Sequence, residues 1–96
     1  MDEQLSTVAL ADRIKLLINK DSLYAVAKQL GVSWTCVKHW YQHGRVMDDE
    51  TGLAIAEMLN LDPETVLIWL QVERMEKKGN DKLSQHWRHI AEQIAA

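Results

Sequence analysis

The sequence predicts an all-α protein, and three observations carry that prediction. Apolar residues recur at helical spacing along most of the chain, while strand-like alternation is nearly absent. One proline and four glycines in 96 residues leave room for long, uninterrupted helices. Good cap residues stand ahead of successive apolar stripes.

The first helix opens at Ser6 or Thr7, whose hydroxyls accept from unpaired backbone N–H groups. Leu10, Ile14, Leu17 and Ile18, at i, i+4, i+7 and i+8, make its inward face, and it ends near Asn19-Lys20. Ser22 caps a short second helix, Leu23 to Leu30, stopped by Gly31, where left-handed backbone is common. Ser33 caps a third helix that runs through Val37 and Trp40 and stops at Gly44. A fourth begins at Asp48 or Asp49 and turns Ile55, Ala56 and Leu59 inward. Asp62-Pro63-Glu64 gives the clearest boundary: an aspartate cap, proline at the first helical position and an acid at the positive dipole end. The fifth helix, 63 to about 76, is apolar on two sides, with Val66, Leu67 and Leu70 in one stripe and Ile68, Val72 and Met75 in another, Trp69 beside them. Lys77-Lys78-Gly79-Asn80 breaks it, and Leu83, Trp87, Ile90, Ala91 and Ile94 trace a sixth. A small helical domain needs one buried stripe per helix. The second stripe on helix five therefore calls for a cover, either the last helix folded back or another subunit.

Composition excludes several classes. At 47% hydrophobic and 26% charged the chain is globular rather than disordered. A single cysteine, Cys36, makes no internal disulfide and, with four histidines, a poor zinc framework. No apolar run approaches the roughly 20 residues of a membrane span, and Met-Asp-Glu-Gln lacks the form of a signal peptide. The expectation is a small helical protein of the cytosol with no membrane partner.

The net charge of −3 conceals a division along the chain. Residues 13–45 carry Arg13, Lys15, Lys20, Lys28, Lys38 and Arg45 against Asp21, whereas 46–76 carry Asp48, Asp49, Glu50, Glu57, Asp62, Glu64, Glu73 and Glu76 against Arg74. Screening over about 8–10 Å lets the basic first half attract phosphate independently of the acidic second half.

The segment 23–42 meets the demands of two short helices joined steeply through a tight turn. Ala27 supplies the small residue where they touch, Gly31 the turn, and Val26, Leu30, Val32, Val37 and Trp40 the apolar wedge. Ser33, Trp34, Thr35, Lys38, His39 and Gln42 are left outside, most of them able to hydrogen-bond. In these residues the chain resembles the lambda Cro and repressor-like (Xre-type) helix-turn-helix family, over about residues 10–70. Ile55-Ala-Glu-Met-Leu-Asn-Leu-Asp62 is similar to that family's fourth helix and following turn. Lys38-His-Trp-Tyr-Gln-His-Gly-Arg45 is more like Cro than the common repressors, which carry glutamate where Tyr41 stands and place the glycine one residue sooner than Gly44. Gly52 occupies a position where the family usually has leucine.

The resemblance implies a five-helix lambda-repressor-like DNA-binding domain over 1–76, followed by a linker and C-terminal amphipathic helix over 77–96 that dimerises or packs. It further implies a sequence-specific regulator of phage or prophage type, resident on the bacterial nucleoid, that acts as a dimer on a palindromic operator in double-stranded DNA. The third helix would enter the major groove with Trp34, Thr35, Lys38, His39 and Gln42 at base edges. Ser22, Lys28, Ser33, His43 and Arg45 would hold phosphates, and Tyr24 is a lesser contact. Ile68, Trp69, Val72, Trp87, Ile90 and Ile94 are the expected dimer interface, since a single reading helix of this size binds modestly.

Each assignment has a plainer counterpart. Ala27, Gly31, Val37 and Trp40 are structural on any reading, Trp34 could pack at its helix start, and Lys38 and His39 could be a solvated face. His39 with His43, and His86 with His89, have metal-compatible spacing but no adjoining third ligand, so no metal site is expected. No catalytic constellation or phosphate-cradling loop is present, and neither an enzyme nor a cofactor is expected. Two rivals remain. An activator of similar size would touch RNA polymerase through Asp48, Asp49, Glu50 and Glu57. An antirepressor- or antitoxin-like adaptor would keep the fold and use its acidic half and apolar tail to bind a protein, such as another regulator.

Overall fold

Each helix starts where a side chain replaces a missing backbone partner. A computed structural model describes residues 4–95; the first three residues of the expected 1–76 unit, and Ala96 of the 77–96 unit, lie outside the described residues. Among the described residues there are six helices and no strand: α1 (Thr7–Ile18), α2 (Leu23–Leu30), α3 (Trp34–Gln42), α4 (Asp49–Leu59), α5 (Pro63–Lys77) and α6 (Asp81–Ala95). Ser6, Ser22 and Ser33 accept through Oγ from the backbone N–H groups of Ala9, Ala25 and Cys36, at 3.2, 3.2 and 3.0 Å. Asp48, Asp62 and Asn80 do the same for Thr51, Thr65 and Leu83, at 2.8, 3.3 and 3.1 Å. At the other ends, α1, α2 and α4 close on left-handed Asn19, Gly31 and Asn60. The next residue's N–H then reaches back to satisfy a last-turn carbonyl: Lys20 to Lys15, Val32 to Ala27, Leu61 to Ala56.

The core gathers Leu10, Ala11 and Ile14 of α1, Val26 and Ala27 of α2, Val37 and Trp40 of α3, Ile55 and Ala56 of α4, and Val66 and Leu70 of α5. Leu17, expected inside, is 52% exposed. The buried residues of α1 are Thr7, Leu10, Ala11 and Ile14, and Leu17 lies beside that arc in the last turn of the helix, beyond the last of them.

Gly52 explains its departure from leucine. It is buried where α4 crosses α5, and a Cβ there would stand 2.6 Å from Leu70 Cδ1, inside van der Waals contact. The missing side chain lets the two helices close together.

The second apolar side of α5 is covered within the chain, because α6 folds back along it. Trp69 is 2% exposed and Val72 fully buried, while α6 buries the small residues Ser84 and Ala91. Small residues one above another on α6 allow close approach, and the larger Leu83, Ile90 and Ile94 are displaced to the rim. Of the residues expected at a dimer interface, Trp69 and Val72 are buried within the chain beneath α6, Ile68, Trp87 and Ile90 are half-buried, and Ile94 is exposed. The radius of gyration, 13.1 Å, is that of one domain of about this length, so residues 81–95 belong to the body of the fold rather than to a detached tail. No helix among the described residues is long and apolar enough to cross a membrane.

Two substitutions test this packing by chemical denaturation. Gly52→Leu should cost about 1–3 kcal/mol through overpacking against Leu70. Val72→Asp would merely split a dimer if that stripe faced a partner; placed beneath α6, it should destabilise the monomeric fold by about 3–5 kcal/mol.

Candidate nucleic-acid interface

Three residues, Gly31-Val32-Ser33, separate α2 from α3. Gly31 has φ +71° with nothing within 4 Å of a would-be Cβ, so backbone angle rather than space selects glycine. Across the turn Val26 and Ala27 pack with Val37 and Trp40, all buried, and this fixes which side of α3 faces out. At 100° per residue, Trp34, Lys38, Gln42, Thr35 and His39 then share one outer arc of about 140°. Trp34, Thr35 and Gln42 are exposed, and Lys38 and His39 are half-buried. The five expected base-reading residues are thereby brought onto one face.

Two tethers hold α3 in this rotation. Tyr41, standing where the resembled repressors carry an acid, donates its hydroxyl to Asp12 Oδ1 of α1 at 2.7 Å, and Lys15 Nζ lies 4.5 Å from its ring centroid. Burial, then the hydrogen bond to Asp12 and the charges of Asp12 and Asp21, push the phenol well above its ordinary range, so it stays a donor. Lys15 in turn bridges Asp12 at 3.6 Å and Asp21 at 3.2 Å. The second tether lies beyond the helix. Buried Thr7 Oγ1 donates to Glu73 Oε1 at 2.7 Å and accepts from Met47 N–H at 3.1 Å, and Thr7 N–H donates to the same Glu73 oxygen at 2.9 Å. Arg74 donates to the Met47 carbonyl at 2.9 Å and pairs with Asp49 at 2.7 Å. The segment leaving α3 is thus tied to α1 and α5.

Of the expected phosphate ligands, Lys28, Ser33, His43 and Arg45 are exposed and Ser22 is half-buried. The Ser22 and Ser33 oxygens are engaged as caps, which leaves their hydroxyl hydrogens to donate. Sequence reasoning missed Lys77. Gly44, at φ +63°, ends α3 beside α5, and the Lys77 ammonium comes within 2.9 Å of where its Cβ would stand. Nothing in the sequence signals this approach, because Lys77 follows Gly44 by 33 positions and reads as part of a helix break. His39 and His43 meet edge to face at 5.1 Å, and Cys36 is a half-buried free thiol. Among the described residues no group of three or more His, Cys, Asp or Glu could hold a metal.

Asp48, the cap of α4, gives the acid-side behaviour. Hydrogen bonds from the Thr51 side chain and backbone, and the charge of Arg74, hold its carboxyl below the ordinary range. A depressed folded-state value means a contribution complete above the unfolded value and lost as pH falls through the folded one. Asp48→Asn, an equally good cap, should leave stability at pH 7 within a few tenths of a kcal/mol. It should also lessen the loss below about pH 4 in urea titrations across pH.

Comparison of the chain with protein-family models, curated proteins and solved structures gave no match.

Proposed function

We propose that the chain is a sequence-specific double-stranded DNA-binding transcription regulator that reads the major groove with α3, in the manner of a Cro-like phage or prophage repressor. The observation that carries this reading is the outer face of α3. Trp34, Thr35, Lys38, His39 and Gln42 are gathered on one side of a helix whose other side is locked by Val37, Trp40 and Tyr41. A major groove about 12 Å wide accepts such a helix. Lys38 donates to guanine O6 and N7, Gln42 suits adenine, and Thr35 suits a thymine methyl or a phosphate. Lys28, Arg45 and Lys77, all exposed, supply backbone-directed cations.

Repression would be steric, a dimer on a two-fold operator whose half-sites lie about 34 Å apart excluding polymerase. With Trp69 and Val72 covered, exposed Ile94 and half-buried Ile68, Trp87 and Ile90 are the part of the expected interface that remains open to a second copy, and exposed Leu83 lies on the same helix as three of them.

One observation favours a protein partner instead. Leu53 is an exposed large apolar side chain on α4, a helix that also exposes Asp49, Glu50 and Glu57. That surface suits polymerase contact by an activator, or the adaptor reading.

Selection of bound sites from random DNA, followed by gel-shift titration across salt, separates these. Lys38→Ala should cost about 1–3 kcal/mol at the selected site. Lys77→Gln should weaken all sequences alike and reduce the salt slope by about 0.9. Protein that selects no site yet co-purifies with another polypeptide would overturn DNA reading in favour of the adaptor.

A further inference from the structure

At the N-terminal end of α3 three side chains form an assembly that neither composition nor the helix-turn-helix pattern requires. Lys38 Nζ sits 4.0 Å from the centroid of the Trp34 ring, one helical turn away. Tyr24, from α2, meets Trp34 edge-on with centroids 6.5 Å apart and planes at 80°. Trp34 is 51% exposed and Tyr24 63%, so neither ring serves the core. Two large aromatic surfaces are kept in water, braced against each other across the turn, with an ammonium resting on one of them.

From this we infer that Trp34 and Tyr24 are positioning residues whose platform holds Lys38 toward base edges, making the guanine preference of α3 depend on Trp34. The inference rests on the DNA-reading proposal above. Its chemical basis is the weakness of lysine as a reader. A lysine is a strongly hydrated point charge on a flexible four-carbon stem, and beside DNA it can turn to the nearest phosphate as readily as to a base. Attraction to the negative face of an indole restrains the stem while engaging at most the N–H that faces the ring, which leaves two donors for guanine O6 and N7. Tyr24 restrains the indole in turn, through the edge-to-face geometry that aromatic pairs prefer.

The test has one arm without DNA and one with it. In NMR spectra of the full chain, the Lys38 ε-methylene protons should be shifted upfield by the Trp34 ring current, and the shift should vanish in Trp34→Ala. An unshifted Lys38 overturns the platform whatever the protein does to DNA. In the second arm, Trp34→Ala should weaken the preferred site about 2- to 5-fold, the range of an exposed cation–π contact. It should also relax the guanine preference at the base pair that Lys38→Ala relaxes, and cost less on unrelated DNA than at the preferred site. In the Lys38→Ala background the same substitution should have little further effect, and Trp34→Tyr should restore part of the preference. An equal cost with and without Lys38 would make Trp34 an independent groove contact and overturn the inference while DNA reading stands. A wild-type protein with the ring-current shift but no DNA binding would bring down the DNA reading and, with it, the role assigned to the platform.

Discussion

Helix α5 imposes the constraint on which the rest of the structure depends: it is apolar on two sides and both must be covered. One side is closed by α4, whose Gly52 has no side chain to meet Leu70. The other is closed by α6, through buried Ser84 and Ala91. A helix wedged in this way cannot rotate, so the polar residues along its remaining edge become fixed points. Glu73 and Arg74 lie on that edge and collect Thr7, Met47 and Asp49 from three other parts of the chain. The hydrophobic demand of one helix thereby places the hydrogen bonds that order its neighbours.

The orientation of α3 follows from that arrangement at one remove. Its buried side is set by Val37 and Trp40, its flank by the Tyr41–Asp12 bond, and its exit by the Met47 segment held between Thr7 and Arg74. Three restraints from different elements leave the outer arc with no structural duty beyond its own capping and side-chain stacking. Side chains carried on a helix held this way have less backbone freedom left to lose on meeting a partner. The buried indole N–H of Trp69, which finds no acceptor among the described residues, illustrates the opposite case: a ring held for its volume at the α5–α6 seam, with Arg88 5.7 Å from its centroid.

Charge is segregated with the same economy. Lys28, Lys38 and Arg45 come from the basic half of the sequence: Lys38 lies on the outer arc of α3, Lys28 is exposed on α2, and Arg45 is exposed just after α3. The acids of α4 and early α5 serve first as caps and dipole partners, Asp48 and Asp62 at N-termini and Asp49 to Arg74. The net negative charge is therefore compatible with a locally cationic surface, to which Lys77 adds from beyond the resembled region.

Much was legible from the sequence by itself. Helix boundaries followed from caps and left-handed stops, which are local chemistry: Ser22, Ser33, Asp62 and Gly31 satisfy or end their own helices whatever surrounds them. The membership of the α3 face was legible for the same reason, since periodicity fixes which residues share a side. Tertiary structure alone decided the rest. Helical spacing says that α5 has two apolar stripes but not what lies on them, and it placed Leu17 inside and Ser84 nowhere. Nor could it bring Lys77 beside Gly44, stack Lys38 on Trp34 against Tyr24, or reveal Gly52 as a point of helix contact. These depend on how far each helix rotates and how closely pairs approach. Rotation and approach are settled by volumes meeting across the core, between residues that the sequence holds far apart.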